Sequence, residues 1–145
     1  MSLDYKLELP NDLRAIEPAV TAVIDRGQEV GFDHDRLRLN LRVGQTEALA
    51  NAILYGNCRD PRKRVRVNAE FSSQRITVQV TDEGRGFDPD KVRDPTLPVN
   101  LLRSGGRGIF LIRKLMDRVE FNERGNSITM VLLNPPAIGR EEAAS

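Results

Sequence analysis

Cysteine and histidine are scarce in this chain, and their scarcity excludes several kinds of chemistry at once. The single cysteine, Cys58, rules out an internal disulfide framework and any metal site built on several cysteines. The single histidine, His34, argues against a His-rich zinc site and against a Ser-His-Asp relay. We expect His34 to be a surface residue near a helix start and Cys58 to have no chemical role.

An excess of charge of one sign is also missing, as is any long hydrophobic run. The chain carries 22 Lys and Arg residues against 21 Asp and Glu residues, so its formal net charge is +1. Phosphate backbones attract proteins with a clear basic excess, so we expect no nucleic-acid partner. A membrane span needs ~20 apolar residues, and the N-terminus already carries Asp4, Lys6 and Glu8. We therefore expect no membrane partner, no signal peptide and a cytoplasmic location.

The spacing of apolar residues predicts an α+β fold in one domain over residues 1–145. Alternating apolar residues predict strands at 6–9, 65–71, 76–80, 119–121 and 128–132. Helical spacing predicts a helix that begins near Asn11 and is ended by Gly27 and Gly31. Residues 37–43 alternate as a strand would, yet the Ala- and Leu-rich stretch at 46–54 predicts a helix continuous with them. We expect Gly56 and Asn57 to end that second helix.

The same pattern places a further helix at 109–116 and a hairpin link at 72–74. Two or three helices on one face of a mostly antiparallel sheet make a two-layer sandwich. Residues 82–107 form a long polar segment without periodicity, and loops of that length are usually functional or disordered. Residues 139–145 are expected to be a frayed tail.

Two polar side chains on the second helix are candidate ligands for a hard cation. Glu47 and Asn51 are four residues apart, so they lie one turn apart on the same helix face. Mg²⁺ prefers oxygen ligands and takes only one or two from protein when phosphates supply the rest. The alternative is a solvated polar face on an amphipathic helix.

Two glycine-containing segments follow. Asp82 ends a buried strand and precedes Gly84 and Gly86, which let the backbone approach a flat ring; a surface turn is the alternative. Gly106 and Gly108 lead directly into a helix, whose free N–H groups suit phosphate; a flexible hinge is the alternative.

Taken together, these segments resemble the GHKL ATPase superfamily, whose nucleotide-binding domain has the Bergerat fold. The matched stretches are the N-box at 47–52, the G1 box at 82–87 and the G2 box at 106–109. Within the superfamily the chain looks most like the anti-sigma-factor serine kinases. The resemblance covers about residues 37–133, which is most of the chain.

For the phosphates, the resemblance implies that Asn51 holds Mg²⁺ on ATP and that Glu47 is the catalytic base for the attacking hydroxyl. Gly106 and Gly108 would give backbone contacts to phosphate. We add Arg107 to this site from its spacing, with a surface charge on the lid as the alternative; the same applies to Arg103.

For the adenine ring, the resemblance implies that the Asp82 carboxylate accepts a hydrogen bond from the exocyclic amine. Gly84 and Gly86 would shape the adenine pocket, and Thr129 on the last strand would support it. Residues 88–105 would form a flexible ATP lid.

The resemblance implies a kinase that uses ATP and Mg²⁺ to phosphorylate a serine of an anti-anti-sigma (STAS) protein and that regulates transcription by partner switching. A sigma factor would be a further partner, and a homodimer is left open. The alternative is an ATP-binding regulatory module with little phosphotransfer.

A basic cluster would be a solvated strand edge or a docking surface for an acidic partner; it comprises Arg59, Arg62, Lys63, Arg64 and Arg66.

Overall fold

The computed structural model describes residues 3–84 and 106–134. Within these ranges five strands form a single antiparallel sheet in the order β1-β2-β3-β5-β4. The strands are β1 (Leu3–Pro10), β2 (Arg64–Phe71), β3 (Arg75–Thr81), β4 (Arg118–Phe121) and β5 (Ser127–Leu133). The helices are α1 (Ile16–Glu29), the short α2 (His34–Arg36), α3 (Arg42–Asn51) and α4 (Gly106–Leu115). The predicted α+β class, the five strands and the antiparallel pairing are confirmed.

One face of the sheet carries the core. In β2 every second residue is buried, and Val67 lies opposite Val80 of β3, which in turn lies opposite Ile128 of β5. The helices cover this face, while the other face presents polar side chains such as Asn68 to water. Alternation along each strand is therefore the property that separates the two layers.

The first helix begins and ends at different residues from those predicted. Asp12, not Asn11, caps the short 3₁₀ turn before α1 by accepting a hydrogen bond from the Arg14 backbone N–H at 2.9 Å. Gly27 lies inside α1, where a Cβ would come within 2.6 Å of the Leu37 side chain. Gly27 thus allows close packing of the next helix, and Gly31, with φ of +77°, follows the true end of α1.

The ambiguous stretch at 37–43 is helical. Leu37 and Leu41 are fully buried whereas Leu39 between them is 58% exposed, which is the pattern of a helix rather than a strand. A π-helical turn, Leu37–Leu41, joins α2 to α3, and a second one, Ala52–Gly56, extends α3 to its end. The predicted stop at Gly56 and Asn57 is confirmed.

An ion pair with mostly buried side chains lies at the end of the sheet where β5 stops. Arg36 Nη2 contacts Asp117 Oδ2 at 2.6 Å, and Arg36 Nε donates to the Leu133 carbonyl at 2.9 Å. The same Asp117 oxygen accepts the Leu133 N–H at 2.7 Å. Nearby, Asn40 Nδ2 donates to the Leu115 carbonyl and closes the last turn of α4.

In the described ranges no helix combines the length and the apolar character needed to cross a membrane.

Candidate nucleotide site

A pocket of about 350 Å³ lies between the C-terminal half of α3 and the end of the sheet where β3 stops and β5 starts. Its walls come from three parts of the chain. The first is the α3 segment, which is α3 with the π-helical turn Ala52–Gly56 that extends it, together with the loop after it. The second is the end of the sheet, and the third is the start of α4. The lining residues are Ala48, Asn51, Ala52, Leu54, Tyr55, Gly56, Cys58, Val80, Asp82, Ile109, Phe121, Gly125, Asn126, Ser127 and Ile128.

At one end of the site, α3 and α4 bring Glu47, Asn51 and Gly108 together. A Cβ in place of the Gly108 hydrogen would lie 2.8 Å from Glu47 Oε2 and 3.4 Å from Asn51 Nδ2. A larger residue there would therefore displace the Glu47 carboxylate, while Asn51 would stay in ordinary contact. Asn51 lines the pocket, and the structure gives its side chain no hydrogen-bond partner among the described residues. Gly106 begins α4, so the helix starts three residues before the predicted 109–116.

At the other end, Asp82 is a carboxylate with 8% of its surface exposed. Its Oδ1 accepts the Gly84 N–H at 2.7 Å. Burial raises the pKa of the Asp82 carboxyl above its ordinary value, and the Gly84 hydrogen bond, Lys63 and Arg124 oppose this rise. An ionised carboxylate in this position has one oxygen held by the backbone and remains able to accept a donor from a ligand.

Two glycines make room for that carboxylate. A Cβ on Gly56 would overlap the Asp82 carboxylate, and a Cβ on Gly84 would overlap the Gly56 carbonyl. The end of the α3 segment and the turn after β3 are thus in direct backbone contact. The close approach explains why glycine occurs at both positions.

The loop after the α3 segment is strained at the rim of the pocket. Cys58 and Arg59 are consecutive non-glycine residues with φ of 52° and 61°. This left-handed conformation costs about 1–2 kcal/mol for each such residue. Cys58 is exposed, and its thiol donates to the Tyr55 carbonyl at 3.4 Å. Tyr55 is itself 45% exposed.

Thr129 does not line the pocket. It lies opposite Gln79 and Glu120 in the neighbouring strands and is absent from the residues that line the pocket. Ser127, two residues earlier, is the hydroxyl residue of β5 that lines the pocket, and its Oγ lies 2.9 Å from Thr81 Oγ1.

Several predicted site residues fall outside the described part of the chain. These are Gly86, Arg103, the side chain of Arg107 and the predicted lid at 88–105; the predicted tail at 139–145 is also outside it.

The remaining sequence predictions concern the surface. His34 is exposed at the first residue of α2, as predicted. The basic cluster is not at a strand edge, because β2 lies between β1 and β3. Arg64 pairs with Glu8 at 3.0 Å and Arg62 with Asp60 at 3.0 Å, so part of the positive charge is neutralised locally.

Sequence reasoning missed the two asparagines nearest to Asp82. Asn57 is fully buried, and its Oδ1 accepts the Glu83 N–H at 2.8 Å. Asn126 Nδ2 donates to the Asp82 carbonyl at 3.1 Å. In the sequence both residues follow a glycine, a signal that indicates a turn and nothing more specific.

The described residues contain no group of three or more His, Cys, Asp or Glu side chains placed to hold a metal ion. A cation bound through Asn51 and ligand phosphates does not require such a group, because Mg²⁺ commonly takes few protein ligands. The oxygen of Asn51 at the pocket wall therefore fits a magnesium nucleotide better than an all-protein metal site.

Known proteins resemble this chain over most of its length. The serine-protein kinase RsbW of Oceanobacillus iheyensis is 29% identical over 119 residues, covering 78% of this chain and 73% of the kinase. RsbW of Bacillus subtilis is 30% identical over 108 residues, covering 70% of this chain and 67% of the kinase.

A solved structure has the same fold. The crystal structure of the RsbU and RsbW domains of a Mycobacterium tuberculosis protein superimposes with a TM-score of 0.61 at 16% identity. The match covers 90% of this chain and 31% of the solved chain, so this chain spans about a third of that protein.

The sequence pattern of the histidine kinase-like ATPase domain matches residues 9–132. That match includes α3, the Asp82 turn and α4, the three parts that meet at the pocket. The chain belongs to the histidine kinase-like ATPase domain family.

Proposed function

We propose that this chain is an ATP-dependent serine-protein kinase of the anti-sigma-factor type. One observation carries the proposal: Glu47 and Asn51 of α3 meet Gly108 of α4 at one end of a pocket whose other end holds the buried Asp82. These two ends suit the two parts of ATP: the carboxylate suits the amine-bearing adenine, and the helix N-terminus with Asn51 suits the charged triphosphate. Similarity to kinases named RsbW supports the same reading.

At the end of the site that receives the nucleobase, Asp82 selects adenine. The Asp82 carboxylate accepts a hydrogen bond from the exocyclic amine, while guanine presents a carbonyl there and leaves the carboxylate unpaired. An unpaired buried acceptor costs about 1–3 kcal/mol. Ser127 lines this end and Gly84 leaves room beside the Asp82 carboxylate, and we add Gly86 of the G1 box from the family resemblance alone.

The phosphate end uses Asn51 and the start of α4. Asn51 would supply one oxygen to Mg²⁺, which when bound neutralises phosphate charge. The position of Gly106 and Gly108 in the first turn of α4 supports a role for their N–H groups in binding phosphate, and we include Arg107 in this group. Phosphoryl transfer depends mainly on such positioning and charge compensation.

Glu47 acts as the base in transfer. The hydroxyl of the acceptor serine loses its proton to the Glu47 carboxylate while its oxygen bonds to the γ-phosphorus. The bond from that phosphorus to the bridging oxygen breaks, and ADP leaves. The proximity of the Glu47 carboxylate to Gly108 at the start of α4 supports this role.

The acceptor we propose is a serine of an anti-anti-sigma (STAS) protein, with a sigma factor as a second partner and partner switching as the regulatory outcome. We further propose that residues 1–145 form one domain and act in the cytoplasm. The family match over 9–132 supports a single domain.

The test is phosphotransfer to a STAS partner. The protein is incubated with Mg-ATP and a STAS protein bearing its switch serine, and partner mass is read for one added phosphate. Glu47→Gln keeps size but removes basicity, and loss of a base typically lowers the rate ~10²–10⁴-fold. Glu29→Gln, at the exposed end of α1, is the matched control and should retain full activity.

The binding-module alternative predicts a different outcome. The Mycobacterium structure carries RsbU and RsbW domains in one chain, so a domain of this fold does occur within a longer protein. If the wild type binds Mg-ATP yet transfers no phosphate to any serine-bearing partner, the module reading replaces the kinase. Equal rates for wild type and Glu47→Gln would remove Glu47 from the mechanism.

A further inference from the structure

A single peptide group, the one joining Asp82 to Glu83, is held from both sides by asparagine side chains. On one side Asn57 Oδ1 accepts the Glu83 N–H at 2.8 Å. On the other side Asn126 Nδ2 donates to the Asp82 carbonyl at 3.1 Å. The preceding peptide is held as well, because the Asp82 N–H donates to the Asn126 carbonyl at 2.9 Å. The Asp82–Glu83 peptide group carries the carboxylate at the base end of the pocket.

The side chain of Asn57 is itself held in place by hydrogen bonds. It is fully buried, and its Nδ2 donates to Asn11 Oδ1 at 3.1 Å and to the Arg64 carbonyl at 3.0 Å. The Arg64 N–H in turn donates to Glu83 Oε1 at 2.6 Å. Asn57, Arg64 and Glu83 therefore form a closed ring of hydrogen bonds behind the Asp82 turn.

Asn126 is oriented in the same way from the β4–β5 turn. Its Oδ1 accepts a hydrogen bond from Asn122 Nδ2 at 2.6 Å. Asn122 Oδ1 is held by the Gly125 N–H at 2.8 Å and the Ser127 N–H at 3.1 Å. The amide of Asn126 is thus fixed with its nitrogen toward Asp82.

We propose that Asn57 and Asn126 are positioning residues that aim the Asp82 carboxylate at the nucleotide base and so set the preference for adenine over guanine. The inference rests on the proposed role of Asp82 as the adenine acceptor. Asn57 is buried and lies outside the pocket lining, so it acts only through the Asp82–Glu83 peptide. Asn126 lines the pocket, so its action through Asp82 must be separated from direct contact.

The experiment measures affinities for Mg-ATP and Mg-GTP by calorimetry on Asn126→Ala and Asn57→Ala. Loss of one positioning hydrogen bond should lower the ATP-over-GTP affinity ratio about threefold to tenfold. Asn134→Ala is the matched control: Asn134 also donates one hydrogen bond to a backbone carbonyl, that of Ser73, at the opposite end of the sheet. The control should keep the wild-type ratio.

A double mutant separates action through Asp82 from direct contact. In an Asp82→Asn background, Asn126→Ala should no longer change the ratio, because the group that it positions has been altered. A change of the same size in both backgrounds would overturn the inference, since Asn126 would then contact the nucleotide itself. The conservative Asn57→Asp keeps the acceptor for the Glu83 N–H and should retain more of the ratio than Asn57→Ala.

The outcomes distinguish this inference from the proposed function. A wild-type protein without ATP preference would refute both, because Asp82 would not read adenine. A wild-type preference that survives in Asn126→Ala and in every folded Asn57 variant would overturn only the positioning roles. Thermal denaturation of each variant identifies those that remain folded, and if Asn57→Ala unfolds, Asn126→Ala alone decides.

Discussion

At the scale of single residues, Asp82 shows the conflict between stability and ligand recognition most directly. Burial raises the pKa of its carboxyl above 3.8, so the folded state binds this proton more tightly than the unfolded chain does. The free energy of unfolding therefore falls as pH rises above 3.8 through the raised pKa, and the loss persists at neutral pH. A buried carboxylate that weakens the fold is expected where charge serves binding.

Asp82→Asn should accordingly stabilise the protein and impair its nucleotide preference. The amide keeps an oxygen for the Gly84 N–H and cannot ionise, so its midpoint of thermal unfolding should exceed that of wild type at neutral pH. The difference should shrink as the pH approaches 3.8, where the wild-type carboxyl is protonated. Thermal denaturation over a pH series measures it. No gain at neutral pH would contradict a destabilising buried charge.

Gln45 is a second polar residue whose burial is unfavourable. It is 1% exposed, and its Nε2 has no hydrogen-bond partner among the described residues. Because an unpaired buried donor costs about 1–3 kcal/mol, Gln45→Met should raise the free energy of unfolding by roughly 1 kcal/mol. Urea denaturation measures the gain. Gln28→Met, at an exposed position of α1, is the control and should change little.

At the scale of elements, the contact between α3 and α4 decides where the carboxylate of Glu47, the proposed catalytic base, lies. Gly108 leaves space for the Glu47 carboxylate, which a Cβ would approach to 2.8 Å. Gly108→Ala should displace Glu47 and lower the phosphotransfer rate at least tenfold, because 1 Å misplacements near the chemistry are that costly. Fold stability should change by under about 1 kcal/mol, since a flexible side chain can yield.

Gly44→Ala provides the control for that helix contact. Its Cβ would meet the Met116 sulfur at 3.0 Å, away from the pocket lining. It should affect stability without a specific loss of phosphotransfer. If Gly108→Ala retains the wild-type transfer rate while folded, the position of Glu47 does not matter for the reaction.

The Arg36–Asp117 pair joins α2 to the strands β4 and β5. Both side chains are mostly buried, at 15% and 18% exposure, and Asp117 also accepts the Leu133 N–H. Asp117→Ala leaves Arg36 with its bond to the Leu133 carbonyl only and leaves the Leu133 N–H without its acceptor, so we expect a loss of about 1–3 kcal/mol in unfolding free energy. Glu120→Ala breaks the exposed pair with Arg118 and should cost under about 1 kcal/mol. Equal losses in denaturant titrations would contradict the distinction.

At the scale of the whole molecule, the nucleotide pocket lies between the helical layer and the sheet, so a ligand there should stabilise both layers. A ligand at 100 times its dissociation constant stabilises by about 2.7 kcal/mol. We expect Mg-ATP to raise the unfolding temperature, with a smaller shift when Mg²⁺ is omitted. Asn51→Ala should remove the Mg²⁺ dependence, whereas Asn68→Ala, on the open face of the sheet, should not. An undiminished shift in Asn51→Ala would refute the magnesium assignment.

Sequence periodicity predicted most of the architecture because it is a property of the chain itself. Alternating residues in β2 and β3 identified their buried faces, and the short link between them identified the hairpin. Alternation was ambiguous at 37–43, where the predicted continuation of the helix is correct and a π-helical turn leaves Leu39 exposed. The family resemblance was likewise readable from local motifs, and the match over 9–132 confirms it.

The sequence by itself determined the five strands, the helices, the family and the expected carriers of chemistry, because each is written in neighbouring residues. Only the tertiary structure decided that Ser127 rather than Thr129 lines the pocket and that Gly108 adjoins Glu47. It alone brought Asn57 and Asn126 to the Asp82–Glu83 peptide, across 26 and 44 positions of sequence. Such contacts depend on how layers pack and at which register strands pair, and no local pattern of residues specifies either.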